Sequence, residues 1–332
     1  MMASGVTVAE VQAKTYKERD SWWTVYLVDP LASRLVWLVA RYPWVTPNRL
    51  SVAAFILGLG SAAAFAAATP GWLIVGAVIF HLSFVVDCMD GKVARLNGTG
   101  SLFGAWLDYI LDRVRVLVCT IALMGGQYAR TGDVTFLVVG GGIVFLDMFR
   151  YLNAMQLAKV KRKMRQNLAI RINALPDQTS VVAPDYDEAD LEGADSSVVA
   201  VMQRPELVME REFRSRFTGF TRLRDLLIRS RVRVHIFSGI EFHMAVFIIG
   251  PLTGAVLAVS IVAGALLLLF ELALIFKLWL STRSYAHYDS SLAAEADAAG
   301  FGEGHDQPAT AAVLEAEAVA LSGARHGADT AR

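Results

Sequence analysis

Long apolar runs alternate with short charged stretches along most of the chain. Windows of about 20 apolar residues match the thickness of the hydrocarbon core of a bilayer. Such windows predict six membrane-spanning helices, at residues 49–68, 71–91, 102–125, 133–156, 236–251 and 254–280. The fifth window is short and carries Glu241 and His243, which should face the interior of the helix bundle. The pattern therefore predicts an all-α, polytopic membrane protein.

A shorter amphipathic segment precedes the first predicted span. In DPLASRLVWLVARYPWVTPN, apolar residues recur at helical spacing among arginines, which is typical of a helix lying in the plane of the membrane interface. Pro43 and Pro47 mark a turn after this helix. Thr46 is suited to the N-cap and Pro47 to the first position of the helix that follows.

Changes in composition divide the chain into five segments. These are an N-terminal cytoplasmic and interfacial segment at 1–48, four spans at 49–156, an insertion at 157–235, two spans at 236–280 and a tail at 281–332. The insertion begins with the basic run KVKRKMRQN and passes through an acidic, turn-rich patch, so we expect it to lie outside the membrane. The tail is expected to be mobile, with one short helical run near 311–322.

Basic residues between the spans indicate the orientation of the chain. The connections with few charges, which share the single basic residue Arg130, are 69–71, 126–133 and 250–254. The other connections are rich in lysine and arginine. By the positive-inside rule, both termini, the 91–101 loop and the insertion face the cytoplasm. We therefore expect a multi-pass protein of the cell membrane.

Composition supports this interpretation. The 332 residues are 55% hydrophobic, with a mean hydropathy of +0.45, which is too apolar for an ordinary soluble domain. The 31 basic and 31 acidic residues cancel, so net charge points to no partner, and we expect no nucleic acid. Cys88 and Cys119 both lie in apolar helices, and no disulfide is expected. The first 20 residues do not resemble a signal peptide, so the first span should remain as an anchor.

Four aspartates stand beside the second and third predicted spans. Asp87 and Asp90 lie at the end of the second span, and Asp108 and Asp112 near the start of the third. Residues three or four apart share one face of a helix. The stretch between the pairs is rich in glycine and suited to a tight reversal. Two antiparallel helices joined in this way would bring four carboxylates to one small volume.

Four clustered anions near a low-dielectric region need cations between them. Carboxylate sites without histidine or cysteine suit Mg²⁺ or Mn²⁺, and two such ions about 3.5 to 4 Å apart form a clamp for displacement at phosphorus. Gly91 and Gly104 remove side chains where a phosphate or nucleotide must approach closely. The alternative for intramembrane acids is a proton relay or a helix-pairing device.

These acids belong to a longer pattern, D-x2-D-G-x2-A-R-x8-G-x3-D-x3-D, which residues 87–112 match at every fixed position. The string resembles the signature of the CDP-alcohol phosphatidyltransferase family, which includes phosphatidylinositol-phosphate and phosphatidylglycerol-phosphate synthases. The resemblance implies a six-helix membrane transferase, often a homodimer, with two divalent metals in a cytoplasm-facing pocket. An acceptor hydroxyl would attack the phosphorus of a CDP-alcohol, and CMP would leave.

The resemblance also implies roles for individual residues. Asp87, Asp90 and Asp108 would be metal ligands, and Asp112 would be the general base, in contact with a metal as well. The residues expected to bind or make room for the CDP moiety are Gly91, Ala94, Arg95 and Gly104. Asn48, at the head of the first span, is a further candidate for a hydrogen bond to the nucleotide, and the alternative for it is a structural role at the start of the helix.

Basic residues at the cytoplasmic ends of the later spans suggest a second subsite. Arg150, with Arg231 and Arg233, would form an anion site for a phosphorylated acceptor if the ends of the fourth and fifth spans converge. The alternative for these residues is contact with anionic lipid headgroups.

The sequence allows more than one donor and more than one acceptor substrate. CDP-diacylglycerol is the expected donor, and a soluble CDP-polyol such as CDP-inositol is the alternative. Family members that make phosphatidylinositol phosphate carry a recognisable basic run after the fourth helix. KVKRKMRQN is basic at this place without clearly matching that run, so inositol phosphate and glycerol phosphate are both open as acceptors. An ion-coupled transporter is the alternative of another class, and it predicts acids near the bilayer midplane. An inactive scaffold would have lost at least one motif aspartate.

Overall fold

Helices dominate the computed structural model, which describes residues 7–42, 44–173, 230–233 and 237–298. Within these ranges the only pairing of extended backbone is one isolated bridge between Asp20 and Val232. The prediction of an all-α protein is confirmed. Most of the predicted insertion and the predicted helical run at 311–322 lie outside the described residues.

The described helices follow one another along the chain in this order. They are α1 (Val8–Thr15), α2 (Asp29–Val39), α3 (Pro47–Ala66), α4 (Pro70–Asn97), α5 (Leu102–Thr131), α6 (Thr135–Asn173), α7 (Gly239–Met244), α8 (Gly250–Thr253) and α9 (Val256–Ala298). In the part of the chain that the structure describes, two π-helical turns join this series, Thr24–Val28 before α2 and Ala245–Ile249 between α7 and α8.

The chain divides into two units, residues 1–154 with 214–274, and residues 155–213 with 275–332. In the first unit α4 packs against α3 and α2, and α3 also packs against α5. Its core includes an aromatic contact between Phe80 and Phe247, with ring centroids 4.7 Å apart. In the second unit the structure describes the C-terminal parts of α6 and α9.

Among the described residues, four helices are long and apolar enough to cross a membrane, namely α3, α4, α6 and α9. They correspond to the first, second, fourth and sixth predicted spans. The third predicted span coincides with α5, whose first half carries four charged residues, and the fifth with the shorter apolar segment Gly239–Thr253. The helices therefore form a polytopic membrane protein, with four spans supported by length and composition and two by sequence prediction alone.

Two helices continue past the predicted ends of their spans. α6 reaches Asn173 and α9 reaches Ala298, whereas the apolar windows end at residues 156 and 280. Neither extension contains proline or glycine, and both are rich in good helix formers. Hydropathy marks where lipid contact ends, and it does not mark where a helix ends. Residues 281–298 of the predicted tail are helical, and the mobility of the tail remains a prediction.

Near the motif, the start of α3 and the turn between α4 and α5 lie where the sequence predicts them. Thr46 is the N-cap of α3 and Pro47 its first residue, although the Thr46 side chain makes no capping hydrogen bond. α4 ends at Gly98, whose φ of 63° lies in the left-handed region that favours glycine. Ser101 Oγ then accepts a hydrogen bond from Gly104 N, 3.0 Å away, at the start of α5. This turn places the end of α4 beside the start of α5.

The predicted amphipathic helix is α2. It runs from Asp29 to Val39 and buries Ala32, Ser33 and Val36, and it packs against α4. Its position in the membrane interface remains a prediction.

Candidate metal centre and nucleotide pocket

Three of the four motif aspartates form one cluster. Carboxylate oxygens of Asp87, Asp90 and Asp108 all lie within 4.8 Å of one another. Asp87 and Asp90 come from one face of α4, and Asp108 comes from α5. Three carboxylates at such distances repel one another unless a cation lies between them. Because the donors are all oxygens, the group fits Mg²⁺ or Mn²⁺ better than a softer metal.

A third helix fixes the orientation of one acid. Ser51 of α3 is 4% exposed, and its Oγ donates a hydrogen bond of 2.5 Å to Asp90 Oδ2. A serine inside an apolar helix did not stand out in the sequence. The contact shows that α3 helps to build the cluster, in addition to α4 and α5.

Asp112 lies beside this cluster and outside the three-acid group found among the described residues. It forms an ion pair with Arg115, and Arg113 Nη2 lies 3.5 Å from its Oδ2. The structure thus separates the four predicted ligands into three clustered acids and one acid held by arginines. The assignment of Asp112 as a metal ligand remains a prediction, as do the other three assignments.

A buried ionic network continues from Asp112 into the helix bundle. Arg113 Nη1 donates to both carboxylate oxygens of Asp147, at 2.7 and 2.6 Å, and His243 Nε2 lies 2.7 Å from Asp147 Oδ1. The Arg113 guanidinium lies 3.8 Å from the centroid of the Tyr151 ring. The network joins α5, α6 and α7. It was not predicted, although two arginines within a predicted span are the signal that could have indicated it.

The predicted interior placement of the polar residues in the fifth apolar segment is confirmed. Glu241 and His243 are both buried. Glu241 Oε2 accepts hydrogen bonds from Ser238 N and Ser238 Oγ at 3.0 and 2.6 Å, so it caps the start of α7.

A cavity of about 330 Å³ lies at the start of α3 and the turn between α4 and α5. Its lining comprises Val45, Thr46, Pro47, Asn48, Asn97, Thr99 and Ser101. The volume lies within the range of small-molecule sites, about 300–1,000 Å³. Asn48 is one helical turn before Ser51, so the cavity and the acid cluster share the first turns of α3.

Gly104 lies next to two residues of the cavity lining, Asn48 and Ser101. A Cβ at position 104 would lie 2.7 Å from Asn48 Oδ1 and 3.0 Å from Ser101 Oγ. The missing side chain therefore makes room for Asn48, whereas the sequence predicted room for the nucleotide itself. Both residues were predicted from the motif region, and the structure brings them together.

The other predicted nucleotide-binding residues lie on α4. Gly91 and Ala94 are half-buried and Arg95 is exposed. Arg95 Nε donates a 3.0 Å hydrogen bond to the carbonyl oxygen of Thr15, which ties α4 to the end of α1. Their contact with a nucleotide remains a prediction.

The three arginines of the predicted acceptor site each have described contacts. Arg150 is buried, its guanidinium lies 4.5 Å from the Tyr151 ring centroid, and it occupies the space that a Cβ at Gly239 would need. Arg231 Nη2 lies 3.1 Å from Asp29 Oδ2. Arg233 Nη2 lies 3.6 Å from Asp20 Oδ1. A joint anion site remains a prediction.

Curated relatives are similar to part of this chain. A phosphatidylinositol phosphate synthase of Corynebacterium glutamicum is 38% identical over 88 residues, which are 26% of this chain and 37% of the relative. A bifunctional IPC transferase and DIPP synthase of Aquifex aeolicus is 41% identical over 70 residues, 20% of this chain and 15% of the relative. An archaetidylinositol phosphate synthase of Methanothermobacter thermautotrophicus is 32% identical over 111 residues, 33% of this chain and 50% of the relative.

The aligned parts thus span half or less of these relatives. The family model for CDP-alcohol phosphatidyltransferase matches residues 44–175, which include the cavity, the acid cluster and Asp112. The match confirms the resemblance carried by the motif. Residues 44–175 of the chain are therefore a CDP-alcohol phosphatidyltransferase domain.

Proposed function

We propose that the protein is an integral membrane transferase that moves a phosphatidyl group from CDP-diacylglycerol to a hydroxyl of inositol phosphate and releases CMP. The observation that carries the proposal is the cluster of Asp87, Asp90 and Asp108, which shares the first turns of α3 with a cavity inside the matched range 44–175. Inositol phosphate is favoured over glycerol phosphate because relatives that resemble part of this chain are named phosphatidylinositol phosphate synthase and archaetidylinositol phosphate synthase.

The donor nucleotide would occupy the cavity near Asn48. Side-chain amides and hydroxyls in its lining can hydrogen-bond a cytosine ring and a ribose, and the principal groups are Thr46, Asn48, Asn97, Thr99 and Ser101. The diphosphate would then extend toward the acids on α4 and α5. Mg²⁺ or Mn²⁺ held by Asp87, Asp90 and Asp108 would neutralise the diphosphate and increase the electrophilicity of the attacked phosphorus.

Asp112 is the proposed general base. It lies one helical turn after Asp108 on the same helix, and it forms ion pairs with Arg113 and Arg115. Asp112 would take the proton of the acceptor hydroxyl while the new oxygen–phosphorus bond forms. The bond from phosphorus to the CMP oxygen breaks in the same displacement, and CMP leaves as the anion.

A CDP-polyol donor is the second candidate. The similarity to a bifunctional IPC transferase and DIPP synthase, 41% identical over 70 residues, favours testing it. The same acids would serve, because both donors present a cytidine diphosphate, and the two differ only in the alcohol that is transferred.

A CMP-release assay with the purified protein in detergent and Mg²⁺ tests the function. CDP-diacylglycerol and CDP-inositol are each combined with inositol phosphate, glycerol phosphate and no acceptor. We expect CMP release with CDP-diacylglycerol only when inositol phosphate is present. CMP release with CDP-inositol as the donor, and not with CDP-diacylglycerol, would favour the second candidate. No release with any combination of donor and acceptor would contradict the transferase function.

The proposed orientation places the active site and both termini on the cytoplasmic side of the cell membrane. Single cysteines introduced at exposed positions within 126–133, at the end of α5, and within 91–101, at the end of α4, test this with a membrane-impermeant maleimide on intact cells. Labelling is expected at the positions within 126–133 only. The homodimer implied by the family resemblance is a separate proposal, and light scattering of the detergent-solubilised protein tests it.

A further inference from the structure

We propose that Arg115 is a positioning residue that fixes the spacing between the acid cluster and the proposed base Asp112. The proposal rests on the proposed function, since it assigns Arg115 a part in the same site. Arg115 is absent from the motif and comes three residues after its last aspartate. Its role is argued from contacts, burial and the shape of the space that it occupies.

Arg115 connects one clustered acid to Asp112. Its Nη1 donates to Asp87 Oδ1 at 3.1 Å, and its Nη2 donates to Asp112 Oδ1. Asp87 is on α4 and Asp112 on α5, so one guanidinium joins the two helices at the site. A planar guanidinium presents its donors in a fixed geometry. The two carboxylates are therefore held at a defined separation.

Three helices form a slot around this side chain. Arg115 is 5% exposed. Ser83 Oγ accepts a 3.2 Å hydrogen bond from Arg115 Nη1 and donates one of 2.7 Å to the Ala54 carbonyl oxygen. A Cβ at Gly58 would lie 2.6 Å from both Cγ and Cδ of Arg115. The slot therefore depends on a glycine of α3 and a serine of α4.

The burial of Arg115 is costly unless its charge is matched. A charged group in a low-dielectric environment is stabilised only by close partners of opposite sign. The carboxylates that match Arg115 are both proposed members of the reactive site. Arg113 differs, because Asp147, away from the cluster, holds it with two hydrogen bonds. Both described ion pairs of Arg115 are thus with motif acids.

This arrangement predicts that loss of Arg115 affects the chemical step and metal binding differently. If Arg115 keeps Asp112 apart from the cluster, its loss should impair the chemical step while the three acids still bind metal. Removing a positive charge next to the acids also increases their attraction for a divalent cation. Metal affinity should therefore stay equal or become tighter, which a general loss of structure would not produce.

Arg115→Gln and Arg115→Lys test this difference directly. We expect kcat for CMP release to fall about 10- to 100-fold in Arg115→Gln, with KM for the CDP-alcohol changed far less. Mn²⁺ binding, followed by electron paramagnetic resonance without substrate, should be at least as tight as in the wild type. Arg115→Lys keeps the positive charge and loses the planar guanidinium, so its kcat should lie between that of the wild type and that of Arg115→Gln.

A matched pair of α3 variants tests the slot without changing Arg115. Gly58→Ala places a methyl group against the Arg115 side chain, whereas a Cβ at Gly60 meets only Ile79 Cγ2 at 3.9 Å. We expect kcat to fall in Gly58→Ala and to match the wild type in Gly60→Ala. This pair also decides the question if Arg115→Gln does not fold.

The outcomes separate this inference from the proposed function. No CMP release by the wild type contradicts the function. An active wild type with unchanged kcat in Arg115→Gln, or with equal kcat in the two glycine variants, overturns the positioning role alone. Loss of Mn²⁺ binding by folded Arg115→Gln also overturns it, because Arg115 would then help to form the metal site.

Discussion

The amide oxygen of Asn48 fills the space that a side chain at position 104 would need, since a Cβ there would lie 2.7 Å from Asn48 Oδ1. α3 and α5 therefore approach closely beside the cavity. The approach depends on glycine at one position and on a short polar side chain at the other.

Gly104→Ala should displace Asn48 from this contact and disturb the proposed nucleotide pocket. We expect KM for the CDP-alcohol to rise about tenfold, which corresponds to about 1.4 kcal/mol of binding energy, with a smaller change in kcat. Steady-state kinetics of CMP release measures both. Gly125→Ala on the same helix is the control, because a Cβ there meets nothing within 4 Å. An unchanged KM in Gly104→Ala would separate Asn48 from donor binding.

Asp112→Asn should remove the proposed base and keep the shape of the side chain. We expect kcat to fall about 10²- to 10⁴-fold, while Mn²⁺ and the CDP-alcohol still bind measurably. Single-turnover CMP release and equilibrium binding provide the two readouts. Asp133→Asn, at an exposed position before α6, is the control. Near-normal turnover in Asp112→Asn would remove the base assignment.

Asp108→Asn should weaken the metal site itself, since it leaves two charged carboxylates in the cluster of three. We expect loss of Mn²⁺ binding and of CMP release together, and the same result for Asp87→Asn. Addition of EDTA to the wild type should stop turnover, and excess Mg²⁺ should restore it. Wild-type Mn²⁺ affinity in Asp108→Asn would exclude Asp108 as a ligand.

Asp147→Leu should destabilise the fold, because it leaves the buried charge of Arg113 without its bidentate partner. Breaking a buried pair from one side costs about 3–5 kcal/mol. The double variant Arg113→Met with Asp147→Leu should recover much of this loss. Thermal unfolding in detergent measures both variants. A double variant that is less stable than Asp147→Leu would show that the network stabilises the fold beyond charge matching.

Gly126→Ala tests the packing of α5 against the end of α3. A Cβ at residue 126 would lie 2.9 Å from the Phe65 carbonyl oxygen and 3.0 Å from that of Ala66. Backbone atoms cannot rotate away, so we expect a loss of about 1–3 kcal/mol of stability. Gly125→Ala, one residue earlier, should be neutral. Equal melting temperatures for the two variants would contradict the packing.

Much of the site could be predicted because short-range rules govern it. The spacing of Asp87 and Asp90 places both on one face of α4, and Gly98 ends that helix in the left-handed conformation. These rules predicted that Asp108 would meet them. Thr46 and Pro47 likewise marked the start of α3 correctly.

The remaining features depend on partners distant in sequence. Arg115 and Asp87 are 28 residues apart, and Ser51 and Asp90 are 39 apart, so neither contact has a local sequence signal. The charged residues of α5 lower its mean hydropathy, although Arg113 and Arg115 form ion pairs with buried or half-buried aspartates. α6 and α9 extend beyond the predicted spans, because an apolar window detects lipid contact while helix propensity continues past it.

The backbone pairing between Asp20 and the 231–233 stretch has a consequence for biosynthesis. Asp20 N donates to the Arg231 carbonyl oxygen, and Arg233 N donates to the Asp20 carbonyl oxygen, both at 2.9 Å. A ribosome makes residue 20 long before residue 233. The N-terminal stretch therefore cannot complete its hydrogen bonds until most of the polypeptide has been translated, and contacts of such long range form late. Truncated nascent chains released before residue 231 should thus leave this stretch accessible to proteases.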